Sequence, residues 1–98
     1  METTGLDYKT DQIIEVAAIR VDENLNEIDR QQTFVALEGN RKLPEFITEL
    51  TGITEDDLKS AWTEQTALTD LAYYIGDSIV VSHFAPFDLS FLSRGGIF

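Results

Sequence analysis

The first sustained apolar stretch, Ile13-Ile14-Glu15-Val16-Ala17-Ala18-Ile19-Arg20-Val21, is rich in β-branched residues, nearly continuous, and bounded on both sides by polar turn formers. A run of that length and composition predicts a strand buried on both faces. Residues 22–26 predict a hairpin turn, with residues 28–37 as the returning strand. The period then changes. Pro44 opens a short helix through Leu50, which Gly52 stops. Thr54 followed by Glu55, Asp56 and Asp57 offers an N-cap with acids at the positive end of another helix. A further helix begins after Thr63, sets Leu68, Leu71, Ala72 and Ile75 on one face, and ends at Gly76. Residues 78–83, Ser-Ile-Val-Val-Ser-His, predict another buried strand. Phe87-Asp88-Leu89-x-Phe91-Leu92 reads as the first turns of a helix halted by Gly95-Gly96.

The resulting coarse order, two strands, then helices, then a strand and a last helix, is a mixed α/β arrangement with an antiparallel hairpin and not a series of βαβ units. No repeat, low-complexity tract or linker divides the chain, so residues 1–98 are read as one unit. The chain opens directly on the turn-like Glu2-Thr3-Thr4-Gly5-Leu6, and a strand feeding that turn is expected just before Met1. Lacking it, the neighbouring strands would expose their edges, which makes self-association an expectation too.

Composition adds limits. A hydrophobic share of 43% and an aromatic share of 10% are globular values. A domain of this size has a thin core. No apolar run approaches the roughly 18 residues that span a membrane, and the start has no signal-peptide pattern. The lack of cysteine excludes disulfides and thiolate metal sites and fits a cytoplasmic protein. A net charge of -11, from 7 basic against 18 acidic residues, argues against a basic groove tracking phosphates. Acidic residues can still engage nucleic acid through bound Mg²⁺ or Mn²⁺. Asp22-x-Asn24-x-Asn26 fails as an EF-hand loop, because Glu27 and Thr33 stand where Gly and Glu are needed. It is read as a turn.

Two carboxylates stand out by context. Glu2 sits where a strand would end, and Asp88 follows a buried apolar stretch at the mouth of a helix. Acids at the ends of rigid elements suit a metal site. The plainer alternatives are a frayed terminal Glu2 and a helix-capping Asp88.

A larger pattern joins them. Glu2-Thr3-Thr4-Gly5-Leu6 with the Ile13–Ala18 strand resembles the first motif of the DnaQ-like (DEDD) 3′→5′ exonucleases, D-x-E-T-T-G-L followed by I-I-E-I-G-A. Val81-Ser82-His83-Phe84-Ala85-Pro86-Phe87-Asp88-Leu89-Ser90-Phe91-Leu92 resembles their second, V-A-H-N-A-x-F-D-x-x-F-L. Between them, Pro44-x-x-Ile47-x-x-Leu50-Thr51-Gly52-Ile53-Thr54 is similar to a segment common in the polymerase III ε, PolC and DinG-type branches.

The resemblance implies an RNase H-like fold with a mixed central sheet and flanking helices, here apparently truncated at both ends. It implies a site of Asp, Glu, Asp and Asp binding two divalent metals, Mg²⁺ or Mn²⁺, that hydrolyses terminal nucleotides of DNA, or of RNA. By that analogy Glu2 and Asp88 are catalytic metal ligands, and a His serves as general base in the DEDDh branch. Thr3, Thr4 and Leu6 would line the pocket for the terminal nucleotide. His83 and Phe87 would lie on the substrate side, although Phe87, Phe91 and Leu92 also suit plain core packing and His83 a structural role. Glu15, inside a strand, needs a hydrogen-bonding partner. Implied partners are a nucleic acid with a 3′ end and a polymerase or helicase.

Departures from the pattern matter. The leading Asp of the first motif falls one place before Met1, the third motif falls beyond Phe98, and position 84 is Phe where the family usually has Asn. The 98 residues are therefore expected to be a partial exonuclease domain, inactive alone. The alternative is an RNase H-like binding module without nuclease activity.

Overall fold

The structure, a computed structural model, describes residues 1–81 and 85–94. Strands β1 (Glu2–Thr3), β2 (Ile13–Val21) and β3 (Glu27–Phe34) are followed by helices α1 (Glu45–Thr51), α2 (Glu55–Leu58), α3 (Glu64–Ile75) and α4 (Ala85–Arg94). The strands form an antiparallel sheet in the order β1-β2-β3, and an isolated parallel bridge joins Val35 to Trp62.

The β2–β3 hairpin closes through Asp22. Its carboxylate accepts hydrogen bonds from the backbone N–H groups of Asn24 at 2.8 Å and Asn26 at 2.9 Å, while Leu25 takes the left-handed conformation at φ 64°. The Asn26 N–H contributes most to holding the Asp22 carboxyl below the usual carboxylate range, and the Asn24 N–H adds to it against the opposing effect of desolvation. Because the folded value is depressed, the carboxylate's contribution to the turn is complete above the unfolded value and is lost as pH falls through the folded one. A carbon-detected NMR titration should place the Asp22 midpoint below that of an unstructured aspartate. An ordinary or raised midpoint would contradict this account of the turn.

Helix boundaries follow local chemistry. Pro44 precedes α1, and Gly52, at φ 80°, ends it with its N–H on the Thr48 carbonyl. Thr54 and Asp57 form a reciprocal capping box at α2, and the Thr63 hydroxyl accepts from the Thr66 N–H at the start of α3.

The core has two parts. Ile13, Val16 and Val35 pack with Ala67, Leu68 and Leu71 of α3 and Phe91 and Leu92 of α4. Ile14 packs with Leu43, Ile47, Ile53 and Leu58, with Phe34 and Leu37 against them. Adjacent residues Ile13 and Ile14, like Phe34 and Val35, thus serve different clusters, as side chains on opposite faces of a sheet do. The register supplies the reason why Ile13 sides with Val16: Glu2 lies opposite Glu15 but Thr3 opposite Ile13. The extra residue is a bulge, and it reverses the alternation once. Helices therefore cover both faces at this end of the sheet, α3 and α4 one face and the α1–α2 region the other.

Two expectations need correction. β2 is not buried on both faces throughout: Ala17, Ile19 and Val21 are exposed, because the α1–α2 layer meets only the Ile14 end of the strand. Residues 78–81 are not a strand, for no strand lies beside them among the described residues, and a strand exists only through a partner's hydrogen bonds. The predicted segment's last two residues, 82 and 83, lie outside the described ones. No helix among the described residues is long and apolar enough to cross a membrane.

Candidate functional site

The Thr-Thr-Gly turn is built around a residue that the sequence pattern did not single out, Asp11. The Thr4 hydroxyl donates to its carboxylate at 3.1 Å, and the Asp7 N–H donates to it at 3.0 Å. A Cβ on Gly5 would stand 2.4 Å from the nearer Asp11 oxygen, so the glycine is needed for close approach. The Thr4 oxygen also accepts from the Gln12 N–H at 2.9 Å, and the Thr4 N–H reaches the Gln12 carbonyl at 2.8 Å. The Thr3 hydroxyl donates to the Gly5 carbonyl at 2.5 Å. Both threonines are buried, so their hydroxyls shape the turn from within, while Leu6 projects from it, 86% exposed.

Gln12 is the second residue missed. It is 2% exposed; its amide donates to the Ala36 carbonyl at 2.6 Å and the Ile13 carbonyl at 3.1 Å, and its oxygen accepts from the Glu38 N–H at 2.9 Å. It ties the turn to the chain leaving β3. The available signal was a lone amide directly before an apolar strand, where a buried polar group must find partners.

Glu2 is half-buried on β1, directly opposite Glu15. Glu15 has the partner expected of it, since the Gln32 amide donates to its carboxylate at 2.7 Å. Asp88 is half-buried in the first turn of α4. Met1, the residue before Glu2, and Asp88 line one cavity, together with β2, α3 and residues 78–81. Phe91 and Leu92, one turn on from Asp88, are buried in the core and fix α4 against β2, in keeping with the packing alternative. His83 lies outside the described residues, as does the side chain of Phe87.

The oxygen donors of Glu2 and Asp88 have the right chemistry for a hard divalent cation. Among the described residues, however, no group of three or more His, Cys, Asp or Glu side chains is placed to hold a metal ion. The described acids alone therefore do not make a complete ligand set.

A profile of the exonuclease family (RNase T type) matches residues 1–95. The chain belongs to this family. It is 41% identical over 95 residues to DNA polymerase III PolC-type from Halalkalibacterium halodurans and from Staphylococcus haemolyticus, covering 97% of this chain and 6% of each relative. The exonuclease chain is thus a small part of the length of the curated relatives it matches. Among solved structures it is similar to the nuclease domain of 3'hExo, a DEDDh family member bound to rAMP, with a TM-score of 0.70 at 23% identity, covering 87% of this chain and 47% of that one. It is also similar to a full-length 3'-exonuclease, with a TM-score of 0.60 at 30% identity, covering 66% and 22%. The fold is the RNase H-like fold of the DEDDh nucleases, represented among the described residues by the three-stranded antiparallel sheet and its helices.

Proposed function

We propose that this exonuclease-family chain is part of a catalytic unit that removes nucleotides from the 3′ end of DNA, more readily than of RNA, in the service of a polymerase. The reading rests on one observation above the rest: the PolC-type likeness runs through 97% of the chain, and the family match over residues 1–95 takes in both acid-bearing segments. Their placement supports it. Glu2 stands beside a turn fixed by Asp11 and Gly5, and Asp88 stands on a helix anchored by Phe91 and Leu92. Both carboxylates are therefore carried by rigid supports, which a metal-assisted site requires.

Glu2 and Asp88 would hold divalent metal, Mg²⁺ or Mn²⁺, together with donors from further polypeptide. When bound, such a metal pair lowers the pKa of the attacking water and neutralises charge on the phosphodiester. The chain's own share is to place two carboxylates and to bring the exposed Leu6 against a terminal base. A net charge of -11 fits contact with phosphate through metal better than through basic side chains.

The test compares the 98-residue chain with a version extended at both ends, each given Mg²⁺ or Mn²⁺ and a 3′-labelled single strand. The extended form should release mononucleotides from the 3′ end, and the shorter one should release none. An extended form that binds metal yet never shortens DNA would remove the enzyme reading and leave a binding module.

A further inference from the structure

The Thr4 hydroxyl has no bonding capacity left for a ligand. It donates to the Asp11 carboxylate and accepts from the Gln12 N–H and, over a longer 3.4 Å, from the Nη1 group of Arg41. A hydroxyl has one hydrogen and two lone pairs, and all are in use. The side chains that can meet a ligand at this turn are Leu6 and those bonded around it. Arg41 is the cation among them.

Its position is fixed from two directions. Gln12 ties the loop after β3 to the turn, through the Ala36 carbonyl and the Glu38 N–H. Gly39, at φ 56°, lets that loop fold back, so that the Arg41 N–H reaches the Glu38 carbonyl at 3.1 Å. The guanidinium then bridges the two limbs of the Thr-Thr-Gly turn, bonding Thr4 on one and the Thr10 carbonyl, at 2.7 Å, on the other. Arg41 remains exposed, and a guanidinium carries more N–H donors than these two bonds use.

Nor does an ion pair neutralise its charge. Among the described residues Arg20, Arg30 and Lys59 pair with Asp29, Glu27 and Asp56, whereas Arg41 pairs with no acid. Its side-chain acceptors, a hydroxyl and a carbonyl, are neutral. Asp11 belongs to the same network, but its carboxylate is bonded to the Thr4 hydroxyl and the Asp7 N–H. A guanidinium aligned by neutral groups keeps its charge and its remaining donors for an anion, and phosphate is the anion that its planar fork fits best.

We propose that Arg41 is a substrate-binding residue that takes one non-scissile phosphate of the nucleic-acid strand whose end meets Leu6. The inference rests on the nuclease reading for the identity of that strand. The metals would hold the scissile phosphate, and Arg41 adds a second fixed point on the backbone. Its effect therefore falls on binding and register, not on the chemical step.

The test measures binding of a fluorescein-labelled oligothymidylate to the extended form in Ca²⁺, by anisotropy across a range of KCl, and shortening of the same strand in Mg²⁺. Arg41→Gln should weaken binding about tenfold, the scale of one charge-assisted hydrogen bond. It should also flatten the slope of log affinity against log salt by about 0.7, the contribution of one phosphate on a single strand. Arg41→Lys keeps the charge and should keep the slope. Lys42→Gln, at the exposed neighbour, should leave the slope unchanged. In Mg²⁺, Arg41→Gln should raise KM by about the same factor as the binding loss and leave kcat within about twofold of the parent. An unchanged slope in Arg41→Gln overturns the proposal, and so does an equal change in Lys42→Gln, which would mean diffuse attraction. A urea midpoint lowered in both Arg41 variants, with the slope unchanged, assigns the residue to the stability of the turn alone and overturns it as well. The nuclease reading fails separately. Arg41-dependent binding in a protein that never shortens the strand removes the enzyme and keeps the phosphate contact.

Discussion

Asp88→Asn, introduced into an extended form that shortens DNA, is expected to cut the rate by roughly a hundred- to a thousandfold, the scale of losing one preorganised electrostatic contact at a reacting centre. The substitution keeps the shape of the side chain and removes the charge a divalent cation needs. Asp88 is half-buried in the first turn of α4, whose hold on the sheet comes from Phe91 and Leu92 below it. Structure should therefore survive. Loss of an acid near the positive end of a helix costs about 0.3–1 kcal/mol, too little to unfold the domain. The measurements are single-turnover rate against Mg²⁺ concentration and the urea midpoint of the same protein. A large loss of rate at a nearly unchanged midpoint, partly recovered at high Mg²⁺, is the expected pair. Glu2→Gln should behave alike. If both variants keep full rate, the acids do not hold the metal.

The second large effect is on stability. Phe91→Ala should cost about 3–5 kcal/mol, the usual range for deleting a fully buried aromatic ring. Phe91 is 0% exposed and packs in the cluster that joins β2 to α3 and α4, so the cavity left behind cannot collapse without moving two helices. Small domains have only about 5–15 kcal/mol of total stability, so the variant should lose about a fifth of it or more. Denaturant unfolding should show a much lower midpoint at an unchanged slope. Tyr73→Ala, at a residue 84% exposed, is the control and should stay within about 0.5 kcal/mol of the parent. Equal effects at the two positions would mean that α4 is not docked as described.

The elements that the sequence predicted well are those governed by neighbours a few residues away. The Asp22 turn, the Pro44 start and Gly52 stop of α1, the Thr54 capping box and the Thr63 cap of α3 each satisfy backbone groups locally, and each was readable from its own residues. The acid-bearing motifs were readable as well, because they are short and lie in a fixed order. Asp11 and Gln12 were not. Their importance arises from what they touch: the Thr4 hydroxyl and the N–H of Asp7 for one, and carbonyls at 13 and 36 for the other.

Burial along β2 shows the same division. Nine consecutive strand residues were predicted correctly, but which of them would be covered depended on where α1 and α2 came to rest. The bulge opposite Thr3 then put Ile13 on the same side as Val16, three residues away, which no two-residue period could foretell.

By itself, the sequence determined the helix limits, the hairpin and the membership of the exonuclease family, since propensity, capping and short motifs are properties of contiguous residues. Only the tertiary structure decided that residues 78–81 form no strand and that they border an apolar cavity together with β2, α3 and α4. A strand is completed by hydrogen bonds to a distant part of a chain, and that partner is a matter of packing.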